Sequence, residues 1–188
     1  YAGFGERGEG DIAQNPSMHP GSIIRINKDG TLPNDNPAFE NNPEWLPEIY
    51  SIGVRNPQGI AISPYNDEVL FSQHGPRGGD NIAKVLSGGN YGWNEVAWGG
   101  TEYSGRKIGD APFKNKFIKP IKVWVPSIAI GNIGFYDGKV FKEWNGDLLV
   151  TATKTEMLLR LDYFDGNIIG EEIILEGEIG RIRDFEID

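Results

Sequence analysis

The sequence predicts an all-β fold, and three observations lead there. Short runs rich in β-branched and aromatic residues alternate with tight-turn signals along the chain. The 26 glycines and 12 prolines are spread throughout, a pattern that suits many short strands better than long helices. No stretch carries a convincing helical apolar period.

Taken in order, residues 22–26 (SIIRI) form a strand that ends in the turn Lys28-Asp29-Gly30. Residues 59–63 (GIAIS) run into Pro64-Tyr65-Asn66-Asp67, and residues 68–73 (EVLFSQ) follow. Residues 133–136 lead to Asp137-Gly138; residues 147–152 (DLLVTA) precede 158–162 (LLRLD) and then Asp165-Gly166. Ile168 and the acidic-apolar stretch 171–175 resume the pattern. Asp-Gly between short alternating runs marks a hairpin, because glycine accepts the positive φ the turn needs. Ile24-Arg25-Ile26 with Asp29-Gly30 is weakly repeated in Leu159-Arg160-Leu161 with Asp165-Gly166. Four-stranded units recurring at roughly 40–50 residues indicate a β-propeller, of which this length would hold about four blades. On periodicity alone, another antiparallel sheet protein fits equally well. Residues 33–47 and 94–117 are long, polar and rich in Gly, Pro and Asn; such segments form a functional rim or are disordered.

Composition narrows the function classes. A chain of 188 residues with 38% hydrophobic and 11% aromatic content can pack one sizeable domain, or part of a larger one. The net charge of −9 argues against a nucleic-acid partner, which requires a dense basic face. Local basic residues can still grip a small anion. The absence of cysteine excludes disulfides, thiolate nucleophiles and Cys-based zinc sites. No apolar run approaches the ~20 residues of a membrane span. No signal peptide is visible, although the chain opens on Tyr1 without an initiator Met, so a leader can already have been removed.

Four stretches carry candidate chemistry. In residues 51–61 (SIGVRNPQGIA), where a loop enters a strand, Arg55 offers a planar fork of donors suited to a carboxylate. Asn56 and Gln58 add neutral donors beside it. The loop His74-Gly75-Pro76-Arg77-Gly78-Gly79-Asp80 leaves carbonyl oxygens accessible, and oxygens are what a hard cation such as Ca²⁺ requires. Lys154 lies just past DLLVTA, and alternation sends Arg181 and Arg183 to one face of a strand. Singly, each has a structural reading: a turn anchored by arginine, a plain glycine-rich turn, a satisfied histidine, solvated strand arginines. Together they point to a small polyanionic ligand with a metal ion.

These motifs resemble the soluble glucose/sorbosone dehydrogenases, particularly the aldose sugar dehydrogenases that use pyrroloquinoline quinone (PQQ). The matching runs are GERG (5–8), IIRINKDGTLPNDNP (23–37), EIYSIGVRNPQGIA (48–61), HGPRGGD (74–80), GGNYGW (88–93), PSIA (126–129) and GRIRD (180–184). The resemblance covers nearly the whole chain. It implies a six-bladed β-propeller, of which residues 1–188 would form half to two-thirds. It implies PQQ held by Arg55, Asn56, Gln58, Ser127, Lys154, Arg181 and Arg183, and Ca²⁺ held by the carbonyls of Gly75 and Pro76. Glu6 matches an acidic residue supporting the family's catalytic histidine, which belongs to a segment preceding GERG. Neither His19 nor His74 matches that base. The implied activity is oxidation of an aldose to a lactone with hydride transfer to PQQ, an electron acceptor unspecified, in a periplasmic or secreted location. A lone fragment would be inactive and prone to self-associate through open sheet edges. Asn81 stands where relatives carry Glu, and Ala83 where they carry Asn, which weakens a second calcium site; Gly131-Asn132 replaces a Ser-Gly pair. Two further classes compete. A non-enzymatic propeller for protein or glycan binding would not need the cationic set. A calcium-dependent hydrolase would need inward-facing carboxylates at the metal.

Overall fold

The structure, a computed structural model, describes residues 1–109 and 113–187. Three four-stranded sheets account for the expected all-β architecture. Sheet one contains β1 (Ala2–Phe4), β2 (Ser22–Ile24) and β3 (Ile49–Ile52), and is completed by β7 (Gly89–Asn90). Sheet two runs β4 (Pro57–Ile62), β5 (Val69–Gln73), β6 (Asp80–Lys84) and β8 (Lys122–Trp124). Sheet three runs β9 (Ile130–Phe135), β10 (Leu148–Ala152), β11 (Met157–Phe164) and β12 (Asn167–Glu176). Every pairing is antiparallel except β3 with β7. That parallel pair forms because the chain leaves sheet two after β6 to close sheet one before returning as β8.

Among the described residues there are three sheets where the repeat length suggested about four. The two long segments use chain without adding sheet strands: residues 33–47 contain only the short helix α1 (Pro37–Glu40), and residues 94–117 only an isolated Thr101–Lys107 bridge among the described residues. The first packs on sheet one. Trp45 packs with Ile49 and Ile52 of β3, and Ala38 and Leu46 join them, so the segment covers one face of sheet one. Fully buried Asn36 fixes it by donating to the carbonyls of Arg25 and Pro47 at 3.0 and 2.9 Å.

The core explains the uninterrupted apolar run in β5. Val69 and Phe71 join Ile23 and Val54 in a cluster between sheets one and two. Leu70, between them in sequence, joins Ile133, Leu148 and Leu159 between sheets two and three. Alternation sends successive side chains to opposite faces, and both faces of sheet two are covered. In β6, Ile82 and Ala83 divide in the same way.

The sheets converge at their edge strands β1, β4 and β9. A Cβ on Gly59 in β4 would lie 2.7 Å from Ile133 N and 2.9 Å from Asn132 Cα. A Cβ on Gly134 in β9 would meet the Phe185 ring at 2.9 Å. Residues 183–185 therefore lie against β9, but residues 181–187 carry no regular secondary structure and are not the strand expected for Arg181 to Asp184. The only described backbone bond from this segment to β9 is Asn132 N to Arg183 O at 3.2 Å; without a continuing ladder no strand is defined.

Away from the convergence, sheets two and three are tied by polar pairs. Glu68 accepts from Tyr163 Oη at 2.6 Å and from Lys84 Nζ at 2.5 Å, and Lys122 pairs with Glu171 at 2.5 Å. Burial pushes the Glu68 carboxyl up, but hydrogen bonds from Lys84, Tyr163 and Asn66 together outweigh it and hold it below the usual range.

Gly59→Ala, which forces β4 off the β9 backbone, is expected to cost about 1–3 kcal/mol in denaturant unfolding. Glu68→Gln is expected to cost about 1–2 kcal/mol at neutral pH. Because the folded-state carboxyl is depressed, Glu68 stabilises above its unfolded-state value, and this is lost as pH falls through the depressed one. Unfolding curves of the two proteins should therefore converge with acidification.

Candidate functional site

Arg55 lies in the connection from β3 to β4, and its backbone is held on both sides. Its N–H donates to Gln73 Oε1 at 2.8 Å, and its carbonyl accepts from Glu6 N at 2.9 Å. The guanidinium sits over the Trp93 ring at 5.2 Å, with Nη1 3.3 and 3.4 Å from the carbonyls of His74 and Gly75. Its Nε is buried without a hydrogen-bond partner. Arg55, Asn56 and residues 5–8 line an open cleft of about 360 Å³. Glu6 is buried beside it, and its Oε2 also lacks a partner.

The loop 74–80 is built around Asp80, the first residue of β6 and fully buried. Asp80 Oδ1 accepts from Gly75 N at 2.8 Å; Oδ2 accepts from Ser127 Oγ at 2.6 Å and from Ile130 N at 3.1 Å. Only glycine fits at position 75, where a Cβ would stand 2.1 Å from the Gly78 carbonyl. His74 Nε2 lies 2.5 Å from the Ile130 carbonyl and Nδ1 3.5 Å from Asn56 Nδ2. The carbonyl can only accept, so the ring proton belongs on Nε2. Lys154, in the turn after β10, donates from Nζ to the Ser127 carbonyl at 3.1 Å. Gln58 is exposed and donates to Asn56 Oδ1 at 3.0 Å.

The electrostatics are uneven. Arg25, Lys84, Lys122 and Arg160 each pair with a carboxylate. Arg55, Lys154, Arg181 and Arg183 pair with no carboxylate of the described residues. In a chain of net charge −9, a cation without a carboxylate partner at a cleft, as Arg55 is, favours an anionic ligand. No trio of His, Asp or Glu among the described residues can hold a metal. Oxygen donors exist instead in the loop carbonyls, and the Gly75 carbonyl already faces Arg55. A hard cation needing six or more oxygens fits here only together with an oxygen-rich ligand.

The model of the family described as glucose/sorbosone dehydrogenase matches residues 1–188. The chain belongs to that family. It is 32% identical over 188 residues to the aldose sugar dehydrogenase YliI of Escherichia coli, covering 98% of this chain and 50% of that protein. It is 37% identical over 136 residues to quinoprotein glucose dehydrogenase B of Acinetobacter calcoaceticus, covering 72% and 27%. The apo crystal structure of the soluble E. coli aldose sugar dehydrogenase superimposes with a TM-score of 0.89 at 32% identity, over 97% of this chain and 52% of that one. The PQQ-bound aldose sugar dehydrogenase of Streptomyces coelicolor superimposes with a TM-score of 0.75 at 25% identity, covering 97% and 47%. The chain thus spans about half the length of these aldose sugar dehydrogenases.

Within the chain, one hydrogen-bonded network joins Glu6, Arg55, Asn56, His74, Gly75, Ser127 and Lys154. The Ser127 hydroxyl is turned to Asp80 and accepts from Ala129 N at 3.2 Å. Arg181 and Arg183 are exposed, and only the Arg183 carbonyl is tied to neighbouring chain, at Asn132 N and Thr151 Oγ1. Asn81 donates to the Gly79 carbonyl at 2.8 Å and accepts from Gln73 Nε2 at 3.3 Å, so its amide is engaged inside the protein. Sequence reasoning assigned no role to Asp80, Gln73 or Trp93. Asp80 and Trp93 close the HGPRGGD and GGNYGW runs, and that placement was their available signal.

Proposed function

We propose that this chain is the cofactor-gripping part of a PQQ- and calcium-dependent aldose dehydrogenase. The observation carrying this reading is the cation Arg55, held at the cleft by backbone carbonyls and Trp93 with no carboxylate partner among the described residues. Bound PQQ would supply the two-electron acceptor, and Ca²⁺ the Lewis acid, for oxidising an aldose to its lactone. Arg55, Lys154, Arg181 and Arg183 would offset the ligand's carboxylate charge, with Asn56 and Gln58 as neutral donors and Ser127 beside them. Gly75 and Pro76 would give carbonyl oxygens to Ca²⁺. The loop's one carboxylate, Asp80, is already engaged by Gly75, Ser127 and Ile130, so the carbonyls alone bind a lone cation weakly and cation and polyanion should bind together.

Glu6 is proposed to support a general base contributed by another segment. His19 pairs with Glu48 Oε1 at 2.7 Å and His74 donates to Ile130 O, so neither offers a free Nε2 for that role. A periplasmic or secreted location is proposed from the family alone. No helix among the described residues is long and apolar enough to cross a membrane. Self-association through sheet edges is proposed from the unpaired outer edge of β12; a clean monomer in sedimentation at high concentration rejects it.

The test is titration of PQQ with Ca²⁺ into the protein that carries this chain, followed by electron transfer from aldoses to an artificial acceptor. Arg55→Ala should weaken PQQ binding roughly 10- to 100-fold, and Arg181→Ala should add to it. Binding unchanged in the double variant would reject the assignment. An unsubstituted protein that does not bind PQQ would favour a non-enzymatic propeller.

A further inference from the structure

We propose that Asp80 is a positioning residue for this site. Its carboxylate sets the aim of the Gly75–Pro76 carbonyls and of the groups that hold Arg55, His74 and Lys154. The inference rests on the PQQ reading above for its functional consequence, but not for its geometry.

A carboxylate with 0% exposure is costly unless every lone pair has a use. No cation among the described residues pairs with Asp80. Its three donors are Gly75 N, Ser127 Oγ and Ile130 N. Each belongs to a residue whose carbonyl holds a site group. The Gly75 carbonyl faces Arg55 Nη1 at 3.4 Å. The Ser127 carbonyl accepts from Lys154 Nζ at 3.1 Å. The Ile130 carbonyl accepts from His74 Nε2 at 2.5 Å, and the opposite ring nitrogen faces Asn56. One buried charge thus orients three carbonyl-bearing residues, each in contact with a different site side chain. Docking sheet two on sheet three does not require this arrangement, because the Glu68–Tyr163 and Lys122–Glu171 pairs already join them farther out. Ser127 accordingly acts through Asp80: its proton is donated to the carboxylate and its oxygen accepts from Ala129 N.

Asp80→Asn places an NH₂ group against donors and breaks the set. In the full protein it should weaken PQQ binding in the presence of Ca²⁺ by about 10- to 100-fold, the range typical of lost outer-shell support. Ser127→Ala, a milder change that keeps the carboxylate, should weaken binding by a smaller factor. Combining the two should be no worse than Asp80→Asn alone. Tyr163→Phe is the structural control, since it removes a cross-sheet bond away from the site. It should lower Tm and leave PQQ affinity unchanged. A cofactor-free arm uses amide hydrogen exchange: in Asp80→Asn, the Gly75 and Ile130 amides should exchange faster while β10 keeps its protection. Unchanged exchange at those amides overturns the inference whatever PQQ does. So does parental PQQ affinity in both site variants, or an equal loss of affinity in Tyr163→Phe. Faster exchange in a protein that never binds PQQ overturns the cofactor reading, and the functional half of the inference with it. If Asp80→Asn does not fold, Ser127→Ala decides: parental affinity and exchange there overturn the proposal.

Discussion

Glycine at positions 59 and 131 lets neighbouring inner segments approach to a separation that leaves no space for a Cβ atom. Sheets that fan out from a common line must be thinnest where they meet, and this chain meets the requirement by removing side chains there. Backbone groups along that line are then shielded from water and need partners across the gap. Ser72 Oγ accepts from Gly59 N at 2.9 Å and donates to the Gly131 carbonyl at 2.8 Å. Thr151 Oγ1 reaches the carbonyls of Asn132 and Arg183. With the middle of the inner strands filled by backbone, long polar side chains are displaced to the strand ends. Arg55 and Asn56 precede β4, Ser127 precedes β9, and Lys154 follows β10. The site is a consequence of the convergence.

Charge is arranged on two scales. At long range a net charge of −9 repels an anion, but salt limits that field to about 8–10 Å. Within that distance of the cleft, local charges dominate. Several peripheral cations are neutralised by neighbours, as where Arg160 faces Asp147, Asp162 and Glu172. Arg55 instead has an aromatic face and two carbonyls, partners that hold a guanidinium in place without cancelling its charge. Holding without neutralising is what distinguishes a binding cation from a structural one.

Much of this was legible in the sequence. The turn signal at Asp165-Gly166, and the apolar runs of β5, β10 and β11, located most of sheet three and the centre of sheet two, whereas Asp29-Gly30 lies in the long β2–β3 connection and makes no hairpin. Other strands were hidden for physical reasons. β6 begins at Asp80, inside a run that reads as a glycine-rich loop. β7 is two residues long and pairs with a strand far away in sequence, so no local pattern marks it. The segment around Trp45 reads as polar loop because its few apolar residues are spaced irregularly, yet they cover sheet one. At the site, the motif residues were legible as donors and cations. What the sequence concealed was direction: nothing in HGPRGGD says that its aspartate turns inward to hold the loop, or that the Ser127 hydroxyl meets it.

Sheets two and three are joined at two distances from the convergence, and the two sets of contacts differ in kind. Farther out, Glu68–Tyr163 and Lys122–Glu171 link partly exposed side chains, where solvent moderates their strength and repacking is easy. Near the inner edge, Asp80 binds backbone N–H groups in full burial, where a lost partner leaves an uncompensated polar group. Outer contacts can therefore be lost with the docking angle nearly kept, because the apolar core around Leu70, Ile133 and Leu148 fixes it. The inner contacts permit no such exchange, since they set the positions of individual carbonyls, which apolar packing cannot specify. Stability of the sheet pair and precision of the site thus rest on different residues, even though both arise at one interface.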